Sequence, residues 1–362
     1  MVMIAVGAAA RQGLVKGKGK NLKLTGSVVG NQGDSGISLV PPPAYISFHL
    51  TDECDGRCLH CDIWRRRGVS PMPKNALGPI LRSISKWLGP VEIQVAGGEP
   101  LISENAPVFL EECARLFLPV TLTTNGLGLD DEWAGRLTRW NLRHVNFSLD
   151  GFSELHDRIR GVPGSFRMVL EAASRIAGWG VVSPRATCVI MKDNLEQLVA
   201  FTRFVCGDLF DGVFFQAMAQ PFGQPPKRGW WRDHFLWPDD QMMVEHVLGK
   251  LLELKHRGLP ILNPVEQFGA MRAYFQNPER FSLAACTVGE RGLTIEPDGS
   301  VRLCPMEEPI GNVLEKDIRD IWHSAAAAQC RKKMADCRTN CHLLINCVFD
   351  RTQFAGEEPC SS

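Results

Sequence analysis

From Ala44 onward the chain alternates two kinds of hydrophobic spacing. Short runs rich in β-branched and aromatic residues, at 45–50, 91–96, 120–124, 145–149, 186–191 and 213–217, read as strands. Between the first two, Leu77, Ile80, Leu81, Ile84 and Leu88 recur at helical spacing, and similar stretches run over 106–116 and 166–176. A strand-then-helix unit repeated six times, with right-handed crossovers, predicts an α/β fold, a partial (β/α)6 barrel over 44–235. Its chemistry should lie at the C-terminal ends of the strands.

Beyond Ala219 the pattern loosens into QPFGQPPKRGWWRDHFLWP, followed by a helix expected over 239–257, so 236–285 reads as a helical connection. The last region, 286–362, is a small cysteine-rich hairpin-helix domain. Its LTIEPDGSVRL reads as a hairpin turning at Asp298-Gly299, with a helix over 316–334. Residues 1–43 have little periodicity and end on Pro41-Pro42-Pro43, which predicts a flexible arm.

Charge narrows the choice of partners. Forty Lys and Arg balance forty Asp and Glu, so no electrostatic pull toward nucleic acid or a membrane surface is expected. The opening segment puts its apolar stretch before its basic residues, the reverse of a secretory signal, and no run approaches the length of a membrane span. Thirteen cysteines, most of them in two clusters, suit metal binding in a reducing cytoplasm better than a disulfide scaffold.

The first cluster is Cys54, Cys58 and Cys61, spaced CxxxCxxC on the loop after the first strand. Three thiolates around a [4Fe-4S] cube leave one iron open to chelate a substrate. A zinc knuckle is the competing reading, although such sites prefer four closed ligands. With Gly97-Gly98-Glu99-Pro100 at the end of the second strand, the chain resembles the radical S-adenosylmethionine (SAM) superfamily over roughly residues 44–350.

That resemblance implies SAM bound at the open iron, its amino group received by the Gly97, Gly98, Glu99, Pro100 segment. Thr123, Thr124, Asn125 and Gly126 end the third strand, and Ser148, Leu149, Asp150 and Gly151 the fourth. They resemble the positions that contact the ribose and methionyl parts. Arg158 or, preferably, Arg160 would pair with the carboxylate. His60 would lie flat against the adenine, with backbone near Val189 to Met191 completing that contact.

In the second cluster, Cys286, Gly299 and Cys304 are spaced as in the opening half of SPASM and twitch auxiliary-cluster domains, and Cys337, Cys341 and Cys347 follow. Two cubes with four cysteines each would need eight, whereas Cys286, Cys304, Cys330, Cys337, Cys341, Cys347 and Cys360 make seven, and Arg351 stands where a further cysteine would. The resemblance therefore implies one auxiliary [4Fe-4S] cluster on Cys286, Cys304 and two of Cys337, Cys341 and Cys347. Two clusters, or a structural zinc, are the alternatives.

Cys113, Cys188 and Cys206 read as small core residues, although Cys188 or Cys206 would be a hydrogen donor if its thiol faced the barrel interior. Glu307 and Glu308 are candidate bases. Trp230, Trp231, His234 and Trp237 suit either packing or a lid over substrate. The expected reaction is reductive cleavage of SAM to a 5′-deoxyadenosyl radical, drawing electrons from a flavodoxin or ferredoxin. The radical would then oxidise or epimerise a small polar metabolite, such as a sugar or natural-product intermediate. Modification of a ribosomally made precursor peptide is the alternative; the arm is short for a leader-binding domain. A metal-binding protein with a degenerate form of the fold is the non-enzymatic one.

Overall fold

All six strands read from the alternation form, and three more join them in one sheet. The computed structural model describes residues 40–66, 68–140, 142–180, 182–279, 286–337, 339–341 and 345–346; the expected arm lies outside them as far as residue 39. The strands β1 (Tyr45–His49), β2 (Glu92–Ala96), β3 (Val120–Thr124), β4 (Leu142–Ser148), β5 (Ser183–Ile190) and β6 (Val213–Ala217) are parallel neighbours in chain order. The crossovers carry α1 (Lys74–Leu88), α2 (Ala106–Arg115), α3 (Asp131–Leu137), α4 (Ser153–Arg160), α5 (Ser165–Trp179) and α6 (Leu198–Val205).

The period of two separates the faces of this sheet. Phe48, Val95, Val145, Phe147, Cys188 and Phe215 are fully buried on the face that the helices cover, in one core with Leu77, Phe109, Val169 and Phe201. Their alternating neighbours, polar from Ser47 and Gln94 through Asn146 to Gln216, are only partly buried on the other face. The sheet curls around this polar face far enough for the loops after β1 and β6 to meet, where the Asp62 amide donates to the Phe222 carbonyl at 2.7 Å.

After β6 come α7 (Gln241–His256), capped by the Asp240 carboxylate on the Met243 amide at 3.0 Å, and α8 (Val265–Gln276). The short α9 (Val288–Arg291) leads into β7 (Gly292–Ile295), which pairs in parallel with β1. Antiparallel β8 (Ser300–Arg302) and β9 (Gly311–Asn312) complete a nine-stranded sheet ordered β6-β5-β4-β3-β2-β1-β7-β8-β9. The expected hairpin is present, but it extends the barrel sheet. The single helix expected over 316–334 is two, α10 (Ile318–Trp322) and α11 (Ala325–Asp336), because the Ser324 hydroxyl caps a new helix by accepting the Ala327 amide at 3.1 Å.

β6 is an edge strand, and this chain seals it. Val213 pairs with backbone, donating to Pro260 at 3.0 Å and accepting from Leu262 at 2.8 Å. The buried Asn263 amide mimics a strand at Phe215, accepting from its N–H at 2.7 Å and donating to its carbonyl at 2.8 Å. Asn346 repeats the device at Ala217, at 2.8 and 2.7 Å. Replacing Asn263→Ala leaves two buried main-chain groups unpaired and is expected to cost about 2–4 kcal/mol, read as a lowered denaturation midpoint.

Candidate SAM and iron–sulfur site

The cysteine loop is folded by its own arginine. Arg57 donates through Nη1 to the carbonyls of Cys54 at 2.6 Å and Gly56 at 2.7 Å. The Trp64 indole donates to the Cys61 carbonyl at 2.8 Å and lies between the Arg57 and Arg65 guanidinium groups. The loop thereby holds all three cysteines partly exposed at one end of the sheet.

Four strand ends grip this loop. From β2, the Gly98 amide donates to the Thr51 carbonyl at 2.7 Å and the Glu99 amide to the Glu53 carbonyl at 2.8 Å. A Cβ on Gly97 would lie 2.5 Å from the Thr51 oxygen, and one on Gly98 would lie 2.0 Å from the Glu53 oxygen, so only glycine permits the approach. Following β3, Asn125 donates through Nδ2 to Asp55 at 2.6 Å. Beyond β4, the carbonyls of Ile159 and Arg160 at the end of α4 receive the Leu59 and Arg57 amides, both at 2.8 Å. The β6 loop supplies Phe222 as described.

Glu99 fastens β2 to β3. Its buried carboxylate accepts from the Leu101 amide at 3.1 Å, the Thr124 hydroxyl at 2.8 Å and the Asn125 amide at 2.7 Å. Burial pushes its pKa up to about 7 against these bonds, which favour the charged form. Asp150 is also buried. Burial raises its pKa, but the Arg160 guanidinium at 2.7 Å, helped by His60 and His156, wins and holds the carboxyl below its ordinary range.

The thiols are suited to a cationic centre. Burial, partly offset by backbone N–H groups and reinforced by neighbouring negative groups, pushes Cys54 up to about 12 and Cys61 to about 11. Burial thus favours the neutral thiol at both positions in the metal-free chain. Polar N–H groups already face two of the three sulfurs, Arg160 Nη1 at 3.6 Å from Cys58 Sγ and Asn125 Nδ2 at 3.9 Å from Cys54 Sγ. Among the described residues no three His, Cys, Asp or Glu side chains converge tightly enough for a single metal ion. Three thiols on one loop leave one position of an iron–sulfur cube open, whereas a structural zinc site wants four closed ligands.

The remaining expected residues separate into those near this end and those away from it. Thr123 and Ser148 lie on the polar face, and Pro100 opens a short 3-10 turn, Pro100–Ile102. His60 keeps Nδ1 buried without a partner, and burial lowers its pKa to about 4, so it is neutral near pH 7. The N–H groups of Val189 and Met191 are engaged by Asp150 and Asn194, both at 2.9 Å. Arg158 is paired with Asp193 at the surface.

Cys188 lies on the helix-covered face, 3.8 Å from Asn194 Nδ2, and Cys206 Sγ lies 3.9 Å from the Pro260 carbonyl, outside the strand-end site. Glu307 is paired with Lys333 at 2.7 Å, while Glu308 is exposed. Asn194 escaped the sequence reading although its MKDN segment follows β5 directly. It joins the ends of β4 and β5 by donating to the Asp150 carbonyl at 2.9 Å and the Val189 carbonyl at 2.8 Å.

At the second cluster, burial first and then the neighbouring thiols Cys341 and Cys337 push Cys286 up to about 11; burial with Cys341, Cys286 and Cys330 pushes Cys304 to about 12. Cys286, Cys304, Cys337 and Cys341 thus share one neighbourhood. Cys347, Arg351 and Cys360 lie outside the described residues. Trp230, Trp231 and Tyr274 surround the buried Trp237, with ring centroids 5.4–5.8 Å from it. The Tyr274 hydroxyl ties this group to β6 through the Met218 carbonyl at 2.9 Å.

A parallel partial barrel with a three-cysteine loop clamped at its strand ends, and a second group of cysteines in the C-terminal region, is the architecture of an iron–sulfur enzyme. The profile of the radical SAM superfamily matches residues 48–205, and that of an iron–sulfur cluster-binding domain, SPASM, matches 286–347. Residues 48–205 are thus a radical SAM domain and residues 286–347 a SPASM domain. The cofactors of the chain are a [4Fe-4S] cluster, SAM and auxiliary iron–sulfur.

It is similar to the antilisterial bacteriocin subtilosin biosynthesis protein AlbA of Bacillus subtilis, 25% identical over 340 residues, 89% of this chain and 68% of that protein. It is similar to the mycofactocin maturase MftC of Mycobacterium tuberculosis, 25% identical over 293 residues, 78% of this chain and 71% of that one. It also resembles the GTP 3′,8-cyclase of Thermodesulfovibrio yellowstonii, 26% identical over 302 residues, 79% of this chain and 87% of that one. The structure of Streptococcus suis SuiB bound to SAM shares the fold, with a TM-score of 0.62 at 18% identity over 80% of this chain and 68% of that one.

Gly98→Ala forces the β2 end off the cysteine loop. The reconstituted variant is expected to lose most of its SAM-cluster absorbance and iron, whereas Gly128→Ala, where a Cβ meets nothing within 4 Å, keeps both.

Proposed function

We propose that this enzyme modifies a ribosomally made precursor peptide, using hydrogen abstraction followed by loss of a second electron to the auxiliary cluster. The observation that carries this reading is the likeness to AlbA, a bacteriocin biosynthesis protein, which runs through 89% of the chain. The likeness to a maturase points the same way. The small polar metabolite expected from the shortness of the arm gives way to this reading; the GTP cyclase keeps it as the second one.

Cys54, Cys58 and Cys61 would hold the [4Fe-4S] cluster, which would supply the electron for reductive cleavage of SAM. The chain's own groups position the reactants. Glu99, with one acceptor position of Oε2 unfilled, receives the amino group. Ser148, Thr123, Asn125 and His60 line the nucleoside side, and Arg160, held by Asp150, orients the carboxylate and steadies Cys58. An auxiliary cluster would be held by Cys286, Cys304 and two of Cys337, Cys341 and Cys347. Electrons come from a flavodoxin or ferredoxin in a reducing cytoplasm.

Anaerobic incubation with reductant, SAM and the precursor peptide encoded nearby is expected to yield 5′-deoxyadenosine and a peptide lighter by two hydrogens. An unchanged mass with deuterium taken up from solvent would instead mean epimerisation. Absence of 5′-deoxyadenosine would sink the reading altogether. Replacing Cys54, Cys58 and Cys61 by Ala abolishes its formation.

Glu99 gives the reaction a pH dependence of defined sign. The folded pKa of about 7 exceeds the ordinary 4.5, so the carboxylate that binds an ammonium gains population as pH rises through 7. The second-order rate of SAM cleavage should climb across that window, and Glu99→Gln should flatten the profile. Stability moves oppositely: between 4.5 and 7 the folded state holds the extra proton, so the contribution of Glu99 falls as pH rises.

A further inference from the structure

The polar face of the sheet carries more hydrogen-bonding capacity than the fold uses. Gln94 on β2, Thr123 on β3, Asn146 on β4, Arg185 and Thr187 on β5, and Gln216 on β6 all lie on it, partly buried. Among the described residues, none of their side chains has a hydrogen-bond or ion-pair partner. Buried polar groups are normally paired; one atom of this row, Arg185 Nε, is buried without a partner, and the other side chains stay accessible to a ligand.

Arg185 is the most telling of them. It stands in register with Asn146, two residues deeper than Thr187, which pairs with Ser148. That places it about 6–7 Å farther from the strand ends where the cysteine loop sits. Its Nε is buried with no partner. Burial pulls its pKa below the ordinary value despite the fields of Asp211 and Glu92.

Those two carboxylates have other partners. Glu92 accepts from the Thr121 hydroxyl at 2.8 Å and from Arg143 at 3.3 Å, and Asp211 accepts from the Ser183 hydroxyl. The neighbouring His144 is pushed by burial and by Arg185 and Arg143 toward its neutral form. The face therefore offers one uncommitted guanidinium beside the neutral amide of Asn146. One planar fork matches a monoanionic, two-oxygen group; a phosphate dianion calls for more cations.

We propose that Arg185, with Asn146 beside it, is a substrate subsite that receives a carboxylate. This rests on the reading of the polar face as the reaction chamber. In a peptide the group would be an acidic side chain or a C-terminus. In a small metabolite it would be an acid.

The test is calorimetric titration of the reconstituted, SAM-loaded holoenzyme with three probes: the α-amide of N-acetylglutamic acid, N-acetylglutamine amide and inorganic phosphate. The carboxylate probe should bind at least about tenfold more tightly than the neutral amide, with phosphate no better than the amide. Arg185→Gln should bring the carboxylate probe down to the amide's level, and Arg185→Lys should restore part of the difference. If Arg185→Gln does not fold, Asn146→Asp sets a negative charge beside the guanidinium with little change of shape and should produce the same loss.

Equal binding of acid and amide to the native chain overturns the proposal, as does unaltered acid binding in Arg185→Gln or Asn146→Asp. Tighter binding of phosphate than of carboxylate overturns the class of ligand. The acid and amide probes carry a single residue, so the outcome is separable from whether a precursor peptide is modified. N-acetylalanine in a fourth titration distinguishes a C-terminal carboxylate from a side chain.

Discussion

Two amides at the end of β2, those of Gly98 and Glu99, donate to the carbonyls of Thr51 and Glu53. This contact brings the GGEP segment and the cysteine loop to within bonding distance of each other's main chain, and there is no room in it for a Cβ. The other contacts of the site build on it. Glu99 carries the position of β2 to β3, Asn125 returns from β3 to the loop at Asp55, and α4 meets the same loop through Ile159 and Arg160. Main-chain bonds to the neighbouring strand ends, together with the Arg57 and Trp64 side chains bonded to the loop's own carbonyls, fix the segment that carries the three thiols.

The C-terminal domain is joined to the barrel at both ends of the six-stranded array. β7 pairs with β1 directly after the cysteine loop's own strand, and Asn346 seals the last pair of groups on β6. The Gln267 amide, itself bonded to Asn263 at 2.9 Å, reaches the Ile345 carbonyl, so the two asparagine clasps on β6 belong to one network. The segment that carries Cys341 is thus held to the strand whose following loop touches Cys61 and Asp62. A buried polar network of this kind is costly if one member is lost, and it fixes one arrangement when complete.

Much of this was legible in the sequence, where the chemistry is local. The spacing of Cys54, Cys58 and Cys61, the Gly97-Gly98-Glu99-Pro100 turn and the ends of β3 and β4 are short motifs whose positions follow from periodicity. The face occupied by Cys188 was left open, and the structure puts the residue, with Ala186 and Ile190, on the fully buried face. Pairings across long stretches of chain were not. Nothing near residue 292 announces a parallel partner at Tyr45, and nothing in Asn263 or Asn346 distinguishes a strand-mimicking amide from a loop polar residue. Ser324 was missed because a cap inside a run of helix formers looks like one more tolerated polar position.

The clasp by Asn346 has a consequence for the order in which the molecule is made. Synthesis from the N-terminus completes β6 about 130 residues before Asn346 emerges, several seconds or more at typical ribosomal speeds. Through that interval Ala217 presents an unpaired edge beside a nascent barrel, the kind of surface on which other strands nucleate. The last described turn of the chain is therefore also a co-translational checkpoint: until it arrives, the sheet is still open to the wrong neighbour.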